Sequence, residues 1–353
     1  MLQKKRILIA PLNWGLGHAT RCIPIINALL LHNFEPIIAS DGEALELLRK
    51  EFPELESVEL PSYKISYPKK GRHFKLKMLQ NSPKMAKAIT NEKKNVASII
   101  VDYHIDGIIS DNRLGVHNKA LPCVFITHQL QVLSGNTTWL STKLHQKIIK
   151  RFHECWVPDN LGELNLSGKL GHTLMYEMPV KFIGPLSRFT KKDIPIVNDV
   201  LVLISGPEPQ RTLLEEHLLK TFKNYNGKVV FVKGRIENEQ QVSKENHMTI
   251  YNFMTSEELE HTINESKYIV ARSGYTTIMD LTKLSKSAFF IPTPGQFEQE
   301  YLAKRLTKLG YTPSCRQKDF TIDKLNEISE FKGLSAMDYE VNYKKLFRLF
   351  EGK

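Results

Sequence analysis

The chain is predicted to be α/β, built from two Rossmann-like parallel sheets that face each other across a cleft. Three observations predict it. Apolar runs bounded by turn residues recur along the chain, helical periodicity fills the intervals between them, and the pattern stops and restarts near residue 198. Strand, helix and strand in repetition require parallel pairing with helices covering both faces. At 353 residues the chain also exceeds what one core usually supports, so two domains are expected.

In the first half the apolar runs are RILIAPL, EPIIASD, DGIISDN, LPCVFITH, ECWVPD and KFIGP. The longer segments between them carry a helical period. In ATRCIPIINALLLHN, for example, Cys22, Ile25, Ile26, Leu29 and Leu30 share one face. These elements define a first domain over residues 1–184. Residues 185–198, rich in proline and charge, read as a linker. DVLVLISG, KVVFVKG, HMTIYNF, KYIVARSG and SAFFIPTPG then supply the strands of a second domain over 199–335, with helices such as QRTLLEEHLLKTF between them. Residues 336–353 end in a helix expected to pack back on the first domain.

A composition of 41% hydrophobic and 25% charged residues excludes disordered and fibrous classes. No apolar run approaches the roughly 20 residues needed to cross a bilayer, and the first apolar stretch is too short and too early for a secretory signal. The expected location is therefore the cytoplasm. Cys22, Cys123, Cys155 and Cys315 are too scattered for a metal or redox spacing, so reduced thiols and no metal site are expected.

The net charge of +11 favours an anionic partner. Between Lys64 and Lys94 ten Lys or Arg face one acid, Glu92, and are interleaved with Tyr63, Tyr67, Phe74, Leu76, Met78, Leu79 and Met85. That mixture fits an element lying on an anionic membrane surface, at the inner face of the cell membrane, and fits a solvated loop and helix equally well. Nucleic acid is not expected, because no nucleic-acid module accompanies the charge.

The loops carry the chemistry. RILIAPL runs into NWGLGHATR, which sets Gly15, Gly17 and a helix start together and suits a phosphate or carboxylate. Thr20 stands where a dinucleotide fingerprint needs its third glycine, so a bare dinucleotide site is not supported. His18 at the helix start is held neutral near pH 7 and is a candidate proton acceptor; a structural role explains a lone histidine there as well. Asp111, ending DGIISD, belongs at the same sheet edge, where a carboxylate orients an imidazole or caps the next helix.

KYIVARSGYTTIMDL repeats the strand, turn and helix arrangement. Ser273, Gly274, Tyr275, Thr276 and Thr277 present donors at a helix start with Arg272 nearby as a fixed cation, a second anion site. Asp280 is placed to accept from a ribose diol. Gln296, Glu298, Gln299 and Glu300 follow a buried strand and a Pro/Gly turn, and suit a ligand with several hydroxyls.

Taken together, GLGHATR, ITHQLQ, RSGYTTIMD and IPTPGQFEQEYLA resemble the GT-B glycosyltransferases of family 28, with motifs also similar to plant-type UDP-sugar glycosyltransferases. The resemblance covers roughly residues 5–330. It implies that His18 is the base of the first Gly-rich loop and that Asp111 orients it. His128 and Gln129 then correspond to an acceptor-side segment, with Gly15 and Gly17 holding the acceptor. Arg272 to Thr277 would hold a diphosphate and Asp280 the ribose, while Glu298 and Gln299 would hold the donor sugar. Ser205 and Gly206 of SGPEPQR fall in a diphosphate loop whose two prolines depart from the family pattern.

The function these residues imply is metal-independent, inverting transfer of a sugar from a nucleotide sugar, UDP-linked, to a small-molecule or lipid-linked hydroxyl acceptor, with no cofactor. A non-hydrolysing UDP-sugar epimerase would need no acceptor. A non-catalytic sugar-nucleotide-binding or membrane-docking subunit would bind the nucleotide without turnover.

Overall fold

The computed structural model describes residues 4–63, 74–173, 178–235, 237–334 and 340–352, with the side chains of 74–85 and of Asn136 outside the description. The chain forms two compact units: residues up to 63, Met78–Leu186 and 340–352 make the first, and 187–334 make the second.

The first unit runs β1 (Arg6–Pro11), α1 (Gly17–Leu31), β2 (Glu35–Ser40), α2 (Gly42–Glu51), β3 (Ser57–Glu59), α3 (Phe74–Asp102), β4 (Gly107–Asp111), β5 (Cys123–Ile126), α4 (Thr138–Ile149), β6 (Glu154–Val157) and β7 (Val180–Phe182). The strands make one parallel sheet in the order β3-β2-β1-β4-β5-β6-β7. Strands β1, β4 and β5 are buried almost throughout, which is why they read as unbroken apolar runs. Leu8, Ala10, Ile37, Ile108, Phe125 and Val157 centre the core on one face of the sheet.

The second unit runs β8 (Asn198–Leu203), α5 (Gln210–Phe222), β9 (Val229–Val232), β10 (Val242–Glu245), β11 (Met248–Tyr251), α6 (Ser256–Asn264), β12 (Ser266–Ala271), α7 (Tyr275–Lys283), β13 (Ser287–Phe290) and α8 (Phe297–Lys308). Its order is β10-β11-β9-β8-β12-β13, parallel except for the antiparallel β10–β11 hairpin. Every apolar run singled out in the sequence holds a strand. The two further strands, β3 and β10, are sheet edges whose residues are half-buried or exposed, so burial left no apolar pattern in them.

The last helix, α9 (Tyr343–Glu351), belongs to the first unit. Phe347 and Phe350 are buried and meet Phe34 and Trp156 edge-on or tilted, with ring centroids 5.6 to 6.4 Å apart. Lys5 Nζ donates to the carbonyls of Phe350 and Glu351, each at 2.8 Å, placing a cation at the negative end of the helix dipole. Gly107 makes room for this packing, because a Cβ there would lie 2.4 Å from Phe350 Cδ1.

Candidate functional site

In the first sheet β1 lies between β2 and β4, so the crossovers leaving this point run to opposite sides and open a crevice at the strand carboxyl ends. Two predicted residues meet there. The register sets Pro11 of β1 opposite Asp111 of β4, and the Leu12 amide donates to the Asp111 carbonyl at 2.9 Å. Gly15 has φ +72°, the left-handed conformation that lets the chain turn sharply into α1, which opens at Gly17.

His18, in the first turn of α1, lies with Nδ1 2.8 Å from Asp111 Oδ1. A carboxylate only accepts, so Nδ1 carries the hydrogen and Nε2 keeps its lone pair. The His18 side chain is 15% exposed and Asp111 is fully buried. Burial lowers the His18 pKa and the Arg21 guanidinium lowers it further, against the opposing pull of Asp111, so the imidazole is neutral at pH 7. Burial pushes the Asp111 carboxyl up, but Arg21 and His18 outweigh it and hold it at about 2.

Arg21 escaped the sequence reading. It is 1% exposed; its Nε and Nη2 donate to the two Asp111 oxygens, and its Nη1 lies 3.2 Å from His128 Nδ1. The available signal was an arginine beside Cys22 on the apolar side of an amphipathic helix, a position where the guanidinium needs a buried carboxylate. His128 follows β5 and is buried, so the crevice gathers His18, Asp111 and His128 around this one guanidinium. Gln129 is half-buried beside it, with Nε2 3.5 Å from His128 Nε2.

A second buried group braces the Gly-rich loop. Arg113 donates to Glu92 Oε1 at 2.5 Å, to Asp41 Oδ1 at 2.6 Å and to the Pro61 carbonyl at 2.7 Å, while Asn13 of the loop donates to Asp41 Oδ2 at 3.2 Å. Tyr63 closes the group by donating to Glu92 Oε2 at 2.6 Å.

In the second sheet the corresponding switch lies between β8 and β12, which are in register from Val200–Tyr268 to Leu203–Ala271. Ser205 and Gly206 follow β8 and are half-buried, with Gly206 at φ +107°. After β12 the chain enters α7, whose N-cap is Gly274 with no side-chain cap; Gly274, Thr276 and Thr277 reach the surface there.

Arg272 differs from the expected fixed cation. It is fully buried and donates to the carbonyls of Gln210, Ile291 and Pro292 and to Gln317 Oε1, and burial lowers its pKa to about 9. Oxygens of Gln210 at the start of α5, of the Ile291–Pro292 turn and of Gln317 take its Nη hydrogens, while Nε has no partner among the described residues, so it ties these three segments together from beneath. Ser273 is buried too, with Oγ donating to the Gln299 carbonyl at 2.8 Å, and Tyr275 is 3% exposed. Gln299 points into its own turn, where Oε1 accepts from the Thr293 amide at 2.9 Å, whereas Glu298 is half-exposed in the first turn of α8. Thr293, another residue the sequence reading passed over, sets its hydroxyl 3.9 Å from where a Gly206 Cβ would stand.

Asp280 lies in the second turn of α7 and accepts from Ser187 Oγ at 2.7 Å. Burial raises its pKa to about 6, against the pull of Arg188 and the Ser187 hydrogen bond. Among the described residues no group of three His, Cys, Asp or Glu side chains is arranged to hold a metal ion. The membrane segment expected at 64–94 lies largely outside the described residues or side chains.

Residues 208–331 match the glycosyltransferase family 28 C-terminal domain. Over 245 residues the chain is 23% identical to the UDP-N-acetylglucosamine–N-acetylmuramyl-(pentapeptide) pyrophosphoryl-undecaprenol N-acetylglucosamine transferase of Haemophilus influenzae (strain PittGG), spanning 68% of this chain and 65% of that protein. Among solved structures, the glycotransferase of kitacinnamycin superposes with a TM-score of 0.64 at 14% identity, covering 100% of this chain and 94% of its own. A spinosyn rhamnosyltransferase complexed with thymidine diphosphate gives 0.60 at 12% identity, covering 98% and 95%. The second unit thus matches the family 28 C-terminal domain over residues 208–331, and the fold of the chain is the GT-B fold of these glycosyltransferase structures.

Proposed function

We propose that the protein is an inverting glycosyltransferase that moves a sugar from a nucleoside-diphosphate sugar, UDP-linked, to a hydroxyl of a lipid-linked acceptor. The observation that carries this reading is the His18–Asp111 pair at the carboxyl ends of neighbouring strands, with a neutral imidazole whose Nε2 is an acceptor. In the reaction, His18 Nε2 takes the acceptor O–H proton while that oxygen bonds to the anomeric carbon. The bond from that carbon to the diphosphate oxygen breaks, and its electron pair leaves with the diphosphate. Charge growing on the diphosphate is met by N–H and hydroxyl donors at the start of α7 and in the Ser205–Gly206 loop. Asp280 holds the ribose, and Glu298 holds the sugar. The relative named for UDP-N-acetylglucosamine and the neighbour complexed with thymidine diphosphate support this donor class.

A lipid-linked acceptor calls for a membrane-facing surface, and α4 supports one. Trp139, Leu140 and Leu144 are 72%, 49% and 56% exposed, and Lys143 and Lys147 are exposed on the same face. His145 and Ile149 face inward, His145 edge-on to Phe125. No acid occurs from Asn112 to His153. Apolar and cationic groups sharing the outward face suit the headgroup region of an anionic bilayer.

The test is His18→Ala assayed with UDP sugars and with lipid-linked and soluble acceptors. Turnover is expected to fall by roughly 10²- to 10⁴-fold with donor affinity unchanged. Equal losses in turnover and donor affinity would count against the base, and products formed from donor without acceptor would count against transfer.

A further inference from the structure

Arg21 is the group on which both histidines of the first crevice converge. Its Nη2 lies 2.9 Å from His18 Nδ1, its Nη1 lies 3.2 Å from His128 Nδ1, and Nε and Nη2 span both oxygens of Asp111. Asp111 therefore does not face His18 as a lone carboxylate. Its charge is already matched by a cation in a fully buried setting, and Cys22 Sγ, 3.7 Å from Oδ2, is the other contact on that side.

We infer that Arg21 is a positioning residue that keeps His18 unprotonated beside Asp111 and fixes the tautomer of His128, making His128 a donor at Nε2 toward an oxygen of the acceptor substrate. The inference rests on the reading of His18 as the base. Guanidinium has hydrogens on every nitrogen and no lone pair to offer, so His128 Nδ1 accepts from Nη1 and its single hydrogen sits on Nε2, a tautomer that requires the neighbouring Gln129 amide to turn its oxygen rather than its nitrogen toward Nε2. For His18 the outcome is the reverse. Oδ1 of Asp111 can only accept, and a lone pair on Nδ1 at 2.8 Å would oppose it, so Nδ1 holds the hydrogen even with Nη2 near. The Asp111 carboxylate and the Arg21 fork that holds it thereby give two neighbouring imidazoles opposite roles, one removing a proton and one giving a hydrogen bond.

Arg21 also opposes protonation of His18. It brings a positive charge beside the ring and neutralises the carboxylate that would stabilise imidazolium. The charged and titratable groups facing His18 are Arg21 from α1, Asp111 from β4 and His128 from the loop after β5, with Cys22 beside Asp111. Replacing Arg21 by a neutral residue removes the cation and frees Asp111, and both changes favour proton uptake by the His18–Asp111 pair. The acid limb of kcat/KM then moves to higher pH.

The test is ¹⁵N-histidine NMR of the 353-residue chain as a function of pH, with His18→Gln and His128→Gln used to assign the signals, alongside pH–rate profiles. In Arg21→Gln the His18 titration is expected to rise by about one unit, a tenfold change in proton affinity, with the acid limb following it. Nε2–H of His128 should no longer predominate. Arg21→Lys keeps the charge but loses the fork, so His128 loses its single tautomer while His18 moves less. Unchanged His18 titration and His128 tautomer in a folded Arg21→Gln protein would overturn the inference. If that variant does not fold, an unchanged His128 tautomer in Arg21→Lys overturns it instead. Retained turnover in His18→Gln would sink the base reading alone and leave the spectra to decide the role of Arg21.

Discussion

At the scale of single residues, burial decides what each polar group can do. Arg272 and Ser273 donate to backbone carbonyls, so in the proposed donor site they would act by fixing the loop that Gly274, Thr276 and Thr277 present at the surface. Asp280 is different, because its carboxyl pKa is raised to about 6 by burial and it has only partial compensation from Ser187 and Arg188. A diol donating to this carboxylate would relieve part of the desolvation. Asp280→Ala should therefore weaken binding of the nucleotide sugar by roughly ten- to a hundredfold, the range of a hydrogen bond to a charged group. Calorimetric titration at pH 7.5 with UDP and dTDP sugars measures this. Unchanged affinity would remove Asp280 from the donor site.

At the scale of elements, α4 is oriented opposite to an ordinary surface helix, with tryptophan and leucine outward beside lysines. In a solvated helix that arrangement leaves apolar area in water without compensation, whereas a bilayer covers it. Trp139→Ser with Leu144→Gln should reduce partitioning onto phosphatidylglycerol vesicles at least about tenfold without lowering Tm, because both side chains are exposed. Co-sedimentation with vesicles decides it, with phosphatidylcholine as the uncharged reference. Wild type that fails to bind the anionic vesicles, or a double variant that binds as well as wild type, would sink the assignment. Helix α9 behaves in the usual way: Leu346, Phe347 and Phe350 are buried, and Asn342 caps it by accepting from the Lys345 amide.

At the scale of the whole molecule, the buried histidines set the response to acid. Burial lowers His117 and His145 to about 4 and lowers His18, whereas unfolded histidine titrates near 6.5. Below 6.5 the unfolded chain binds protons that these folded sites refuse. Their stabilising contribution is full above pH 6.5 and is lost progressively as pH falls below it, for His117 and His145 down to about 4. Asp280, raised to about 6, acts in the opposite sense over the same window, but it is one group against three. Calorimetric Tm should fall between pH 7 and pH 4.5, and a higher Tm at pH 4.5 would contradict the assignment of these rings as neutral.

The strand pattern, the two-sheet α/β architecture and the His18 and Asp111 positions were legible in the sequence, because each depends on local spacing. A strand buried on both faces must be apolar along its length, and a residue ending such a strand must lie at the sheet edge. The edge strands β3 and β10 were not legible, since exposure removes the pattern that burial imposes. Nor were the partners of the buried charges. Arg21 and Asp111 are 90 positions apart, and Arg113 reaches Asp41 across 72. Sequence alone determined which residue types stand at the ends of which strands. Only the tertiary structure decided that one guanidinium links Asp111 and two histidines while another lies buried under the α7 loop, because a charge removed from water must take whichever partner the packing brings within reach.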